Sequence, residues 1–137
     1  MATISITVAN VLKSSNAQVN TGTIAAGVTI TQGQALYQLA NSTIGLADAN
    51  GTSPANSFIG FSLTGGTAGQ PVVYVSKDTA YASGGTLTSG LPVYLSDTPG
   101  AITQTFGDLA SGSTAIVIGV ANTDLTLNVS PVVGGVI

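Results

Sequence analysis

The chain has no arginine, glutamate, histidine, cysteine or tryptophan. Its 137 residues carry seven charged side chains: Lys13, Lys77, Asp48, Asp78, Asp97, Asp108 and Asp124. Each absence closes off a class of chemistry. Without cysteine there is neither a disulfide framework nor a thiolate nucleophile. Without histidine or cysteine a serine nucleophile lacks its usual base, and zinc lacks its usual ligands. Two lysines cannot form a basic patch, so direct nucleic-acid binding is not expected. A soluble domain is ordinarily about a quarter charged. Here Thr, Ser, Asn, Gln, Gly and Ala must make the surface, and little charge repulsion keeps copies apart. That favours a subunit that packs against neighbours.

Long hydrophobic runs are missing too. "STAIVIGVA" and "PVVGGVI" fall far short of the ~20 residues of a membrane helix. The start, "MATISITVANVLK", has no basic region leading into an apolar stretch and does not read as a secretory signal. The expectation is a cytoplasmically made protein with no membrane partner.

Helical spacing of apolar residues is absent, whereas alternation is common. Ile4, Ile6 and Val8 alternate with Ser5 and Thr7, a period that gives a strand one inward face. "GVTI", "ALYQLA", "SFIGFSL", "PVVYVS", "GTLTS", "PVYLS", "AITQTF", "STAIVIGVA" and "DLTLNVS" read as further strands. Turn-forming clusters separate them. The fold class expected is all-β, a single-domain sandwich or barrel.

The chain also repeats itself. "AGVTITQGQALY" (residues 26–37) aligns without a gap on "SGGTLTSGLPVY" (residues 83–94). Gly33 falls on Gly90, Leu36 on Val93 and Tyr37 on Tyr94. Later, Phe58-Ile59-Gly60 is echoed by Val117-Ile118-Gly119, and each is followed by a closing strand. We read residues 1–137 as one domain made of an arm (1–14), a first β unit (about 26–76), a second (about 83–130) and a C-terminal segment (131–137). Neither unit could bury its apolar face alone, so the two should share a core. Gly33 and Gly90 should supply positive φ before a strand. Gly60 and Gly119 should mark bulges or close backbone approach. Tyr37 and Tyr94 should bury their rings and leave the hydroxyl at an edge.

The remaining motifs have plain readings. Asp48, Asn50 and Gly51 suggest a turn, because a calcium loop needs more acidic ligands and a closing glutamate. Residues 97–100 read as a proline β-turn, and Lys77-Asp78 as an exposed turn between strands. Three Asn-x-Ser/Thr triplets, at Asn41, Asn50 and Asn128, lack the secretory context that would give them meaning. No catalytic, cofactor or metal residues are expected, and the protein is not expected to be an enzyme.

Several stretches carry a resemblance: "ISITVANVL", "ITQGQALYQLANSTIGLADAN", "GLPVYLSDTPGAITQTFGDL" and, most specifically, "IGFSLTGGTAGQPVVYV". Together they resemble the tailed-bacteriophage capsid decoration (cement) protein family over nearly the whole chain. The resemblance implies an all-β structural virion protein on the outer surface of the phage head. Its partners would be the major capsid protein and further copies of itself, most often as a homotrimer, sometimes as a dimer. The termini lie outside the repeats and are the expected capsid or oligomer contacts, through Ile4, Ile6, Val8, Val132, Val133 and Ile137. The arm could instead complete this subunit's own sheet. The apolar tail should be buried against the subunit, a sister copy or the shell. The competing reading is a phage fibre, baseplate or surface-adhesion module that binds a host glycan or receptor through exposed aromatics.

Overall fold

Alternating β-branched residues separated by Gly, Asn and Asp turns put nearly all regular structure into strands. A computed structural model describes residues 3–39, 41–52 and 54–137, with the Asp108 side chain left out. Met1 and Ala2 of the arm, Ala40 of "ALYQLA" and Ser53 lie outside the described residues. The strands are β1 (Val11–Leu12), β2 (Gln18–Ile24), β3 (Thr29–Ile30), β4 (Ala35–Gln38), β5 (Thr43–Leu46) and β6 (Gly60–Ser62). They continue with β7 (Gly66–Thr67), β8 (Pro71–Ser83), β9 (Pro92–Leu95), β10 (Ile102–Thr103), β11 (Thr114–Ala121) and β12 (Thr126–Val136). Short 3-10 turns occupy Val8–Asn10 and Phe106–Asp108. The chain is an all-β single domain.

One strand organises the whole. The first half of β8 pairs antiparallel with β2 on one edge and with β6 on the other. Since β2 pairs with β5, β5 with β4 and β4 with β6, these strands close a ring. The second half of β8 pairs with β12, and the sheet runs on through β11 and β9 to β10. This continuity overturns the expected turn at Lys77-Asp78. Both residues lie inside β8, with Lys77 exposed and Asp78 buried. "GTLTS" forms no strand, and "AITQTF" is strand only at β10 before its 3-10 turn.

The sequence repeat is a repeat of hydrogen bonds. In the first unit Gly33 N donates to Ser62 O at 2.7 Å and Ser62 N to Gln34 O at 2.9 Å. In the second, Gly90 N donates to Ala121 O at 2.7 Å and Ala121 N to Leu91 O at 3.0 Å. Gly33 and Gly90 have φ of 92° and 86°, open to glycine at no steric cost. Leu36 sits opposite Gly60 as Val93 sits opposite Gly119. A Cβ on Gly60 would collide with Val75 O, and one on Gly119 with Asn128 O. These two strand glycines therefore mark close backbone approach, with a register shift beside Gly119.

The core is divided, where one common core was expected. Ile24, Ile30, Leu36, Ile44 and Val72 form a cluster within the first unit. The larger cluster spans both units and includes Phe61, Val75, Tyr81, Val93, Leu95, Ile102, Ile116, Ile118 and Leu127. Alternation along strands explains the division: Ala35 joins the larger cluster and its neighbour Leu36 the smaller. Tyr37 and Tyr94 are half-buried; Tyr37 lies over Gly45, and Tyr94 meets Phe106 edge to face at 5.2 Å.

Candidate interaction surface

The arm lies on its own subunit. Ile4 N donates to Ile102 O at 2.9 Å and Thr7 N to Gly84 O at 2.8 Å. Ile4 and Ile6 are half-buried against the larger core cluster. Gly33, Gly84 and Gly85 make room for them, because a Cβ at any of these would press on the arm's atoms. The alternating residues 3–7, expected as a strand, form none and pack on the subunit; the arm joins the subunit's own sheet only through β1, where Val11 and Leu12 pair with Ser83 and Ala82 of β8. Val8, in the following turn, stays 41% exposed.

The C-terminal segment behaves differently. Pro131 to Val136 is no separate tail, since β12 continues through it, paired with β11 at Val132↔Val117, Val133↔Ile116 and Val136↔Thr114. Ile137 is anchored to the β11 side: its N donates to Ser113 O, and Gly112 N donates to its carbonyl, each at 2.8 Å. On the other edge β8 pairs with β12 only from Thr126 to Val129. Beyond that point no strand covers this edge among the described residues. Val129 is 1% exposed, whereas Val132, Val133 and Val136 are 62%, 69% and 74% exposed. The subunit does not bury this apolar stretch.

Two exposed leucines escaped the sequence reading. Leu12 and Leu125 line a groove of about 510 Å³ beside the arm, with Ser5, Thr7, Gly84 and Thr86. Alternation assigns Leu125 to the face of Leu127, but Leu125 stands at the end of a turn and stays outside while Leu127 is buried.

The acidic groups serve the backbone. Asp78 accepts from Ser14 N at 2.8 Å, Ala80 N at 3.0 Å and the Ser14 hydroxyl. Such bonds offset the desolvation of a buried carboxylate. Asp97 accepts from Ala110 N and the Ser113 hydroxyl, each at 2.7 Å. Asp48 accepts from Asn50 N at 3.0 Å, the turn expected there. Among the described residues no group of three His, Cys, Asp or Glu side chains could hold a metal ion. No helix among them is long and apolar enough to cross a membrane.

Tyr81 is fully buried, stacked on Phe61 at 4.7 Å, and its hydroxyl has no hydrogen-bond partner among the described residues. Burial, then the charge of Asp78, pushes its pKa well above the ordinary tyrosine range. It stays neutral and acts as a large apolar side chain. A scan against family models and searches of curated proteins and solved structures find no match for the chain.

Proposed function

We propose that the chain is a structural virion subunit, a capsid decoration protein that binds the outside of a phage head and ties neighbouring capsomers together. The observation that carries this reading is the bare apolar half of β12 on a body with almost no charge. Little charged surface has to be desolvated when such a body packs against a protein lattice. The sequence stretches quoted above supply the link to phage heads. On this reading the subunit acts by mass action: it binds the assembled lattice and stabilises it in proportion to its affinity. Its partners are the major capsid protein and further copies of itself, a homotrimer on the resemblance. The reading includes no catalysis and no cofactor.

The test is copy number and retention. A decoration protein is present at hundreds of copies per particle and adds to expanded, undecorated heads in vitro. Presence at tail-fibre stoichiometry, or failure to bind expanded heads, contradicts the proposal. One observation favours the competing adhesion reading: Phe106 is 45% exposed and packs edge to face on Tyr94, a pair a sugar ring could stack on. Phe106→Ala would abolish receptor binding on that reading and leave head binding unchanged on ours.

A further inference from the structure

We infer that the distal half of β12 is where two copies of this chain meet, edge to edge, as antiparallel strands. The same strand supplies the internal comparison. From Thr126 to Val129 it is paired on both edges and buries Leu127 and Val129. From Ser130 onward it keeps β11 on one edge and has nothing on the other among the described residues.

The pattern of exposure indicates a strand as occupant. Val132 and Val133 are consecutive, so they point to opposite faces, yet both are more than half exposed. A partner laid on one face would cover one of them. A strand added in the plane of the sheet flanks both and satisfies the free backbone groups. At Gly134 and Gly135 no side chain stands beside this edge. Gly135 has open space around its Cβ position, and with Gly134 it lies where the register of β12 against β11 shifts between Val133 and Val136.

Charge and size indicate that the occupant is a second copy. Exposed edges are commonly blunted by charge, proline or a bulge; this one keeps Pro131 at its start and a register shift against β11 between Val133 and Val136, but residues 125–137 contain no charged side chain. Two such edges meet without repulsion, and they offer a charged partner nothing to select. Antiparallel pairing about Gly134 sets Val132 of each copy opposite Val136 of the other. It also sets Val133 opposite Gly135, so apolar meets apolar and bulk meets space. Pro131, which cannot donate to a ladder, lies just outside the paired stretch. Such an isologous contact joins copies in pairs; it does not by itself build the trimer that the resemblance implies.

The inference deepens the structural-subunit reading and is tested without heads. Light scattering on the purified full chain is followed from about 1 to 100 µM, the range where a contact of this kind should saturate. Wild type is expected to shift from one-chain to two-chain mass. Val132→Lys/Val136→Lys and Val132→Glu/Val136→Glu variants should each remain single chains, while their equimolar mixture should pair again, because lysine then faces glutamate across the two-fold. Leu125→Lys, which removes an equally exposed leucine elsewhere, should pair like wild type. Wild type monomeric throughout, or charge variants that pair alone as well as they do mixed, would overturn the inference. Should the variants misfold, hydrogen exchange on wild type decides: those amides of residues 132–136 that face away from β11 must gain protection with concentration, and no gain overturns it. Pairing without head binding counts against the capsid reading alone; head binding by a strictly monomeric chain counts against this inference alone.

Discussion

The two β units share a plan but close differently. In the first, β2 and β5 pair in parallel, and Ile44 O accepts from Ala25 N at 3.0 Å. In the second, the second half of β8 takes the place of β2, and β10 takes the place of β5. No pairing joins those two, and Ile102 O, the counterpart of Ile44 O, accepts from Ile4 N instead. The first unit closes its ring with β2, the strand just before the repeat; the second has no such strand beside β10 and takes a bond from the N-terminal arm. A repeated sequence thus gives repeated local hydrogen bonds, while closure depends on what each copy of the motif finds beside it. β8 is divided between the units, its first half in one and its second half in the other, and the arm lies along the edge left open in the second.

The strand glycines give the largest effect and should strike both units alike. Gly60→Ala and Gly119→Ala each drive a Cβ into a backbone carbonyl that pairing holds in place. Each should lower stability by about 3 kcal/mol or more, as overpacking against backbone does, read by denaturant unfolding. A mild effect at one position alone would break the equivalence of the units. Removing residues 1–8 should separate them. It takes away the two backbone hydrogen bonds to Ile102 and Gly84, the bonds within the Val8–Asn10 turn and the half-buried Ile4 and Ile6, a loss of about 2–4 kcal/mol. Exchange should quicken at Ile102 and Leu95 well before it does at Ile24 and Ile44.

Much of this was legible in the residues. The alternation, the paired glycines and the gapless repeat announced the all-β class and the matched turns. Asp78 was misread because Lys-Asp after an apolar run looks like a turn; β8 passes straight through it, and the carboxylate is held by Ser14, far away in sequence. Such a contact leaves no periodicity to read. The apolar ends looked alike in sequence, yet Ile4 and Ile6 turn inward while Val132 and Val133 stay bare. What separates them is the seam in the second unit, a property of topology rather than of either segment. Alternation sets neighbours such as Ala35 and Leu36 on opposite faces, but that each face meets a separate cluster follows from the closed ring, which no local pattern displays.

Smaller effects sharpen the picture. Tyr81→Phe removes a buried hydroxyl without a partner among the described residues and should stabilise the protein by about 1 kcal/mol. It should also change the alkaline limit. The folded-state pKa of Tyr81 is raised, so the stability it confers is complete below its unfolded value of about 10 and is lost as pH climbs above that. Wild type should therefore lose stability more steeply than Tyr81→Phe in alkaline titration. Smallest is the turn before β5. Ser42, at φ 67°, occupies the place that Gly100, at φ 79°, holds before β10. Ser42→Gly should gain up to about 1 kcal/mol by relieving the left-handed conformation, and a loss would show that the two turns are not equivalent.

The arm is a structural part of the second unit. Residue-resolved hydrogen exchange on the free full-length chain, at a concentration where it is a single copy, tests it directly. The amides of Ile4 and Thr7 are expected to exchange slowly, Ile4 with protection close to that of Ala25, which bonds Ile44 O as Ile4 bonds Ile102 O. Exchange at those two amides as fast as in an unstructured peptide, with Ile102 and Leu95 still protected, would contradict it.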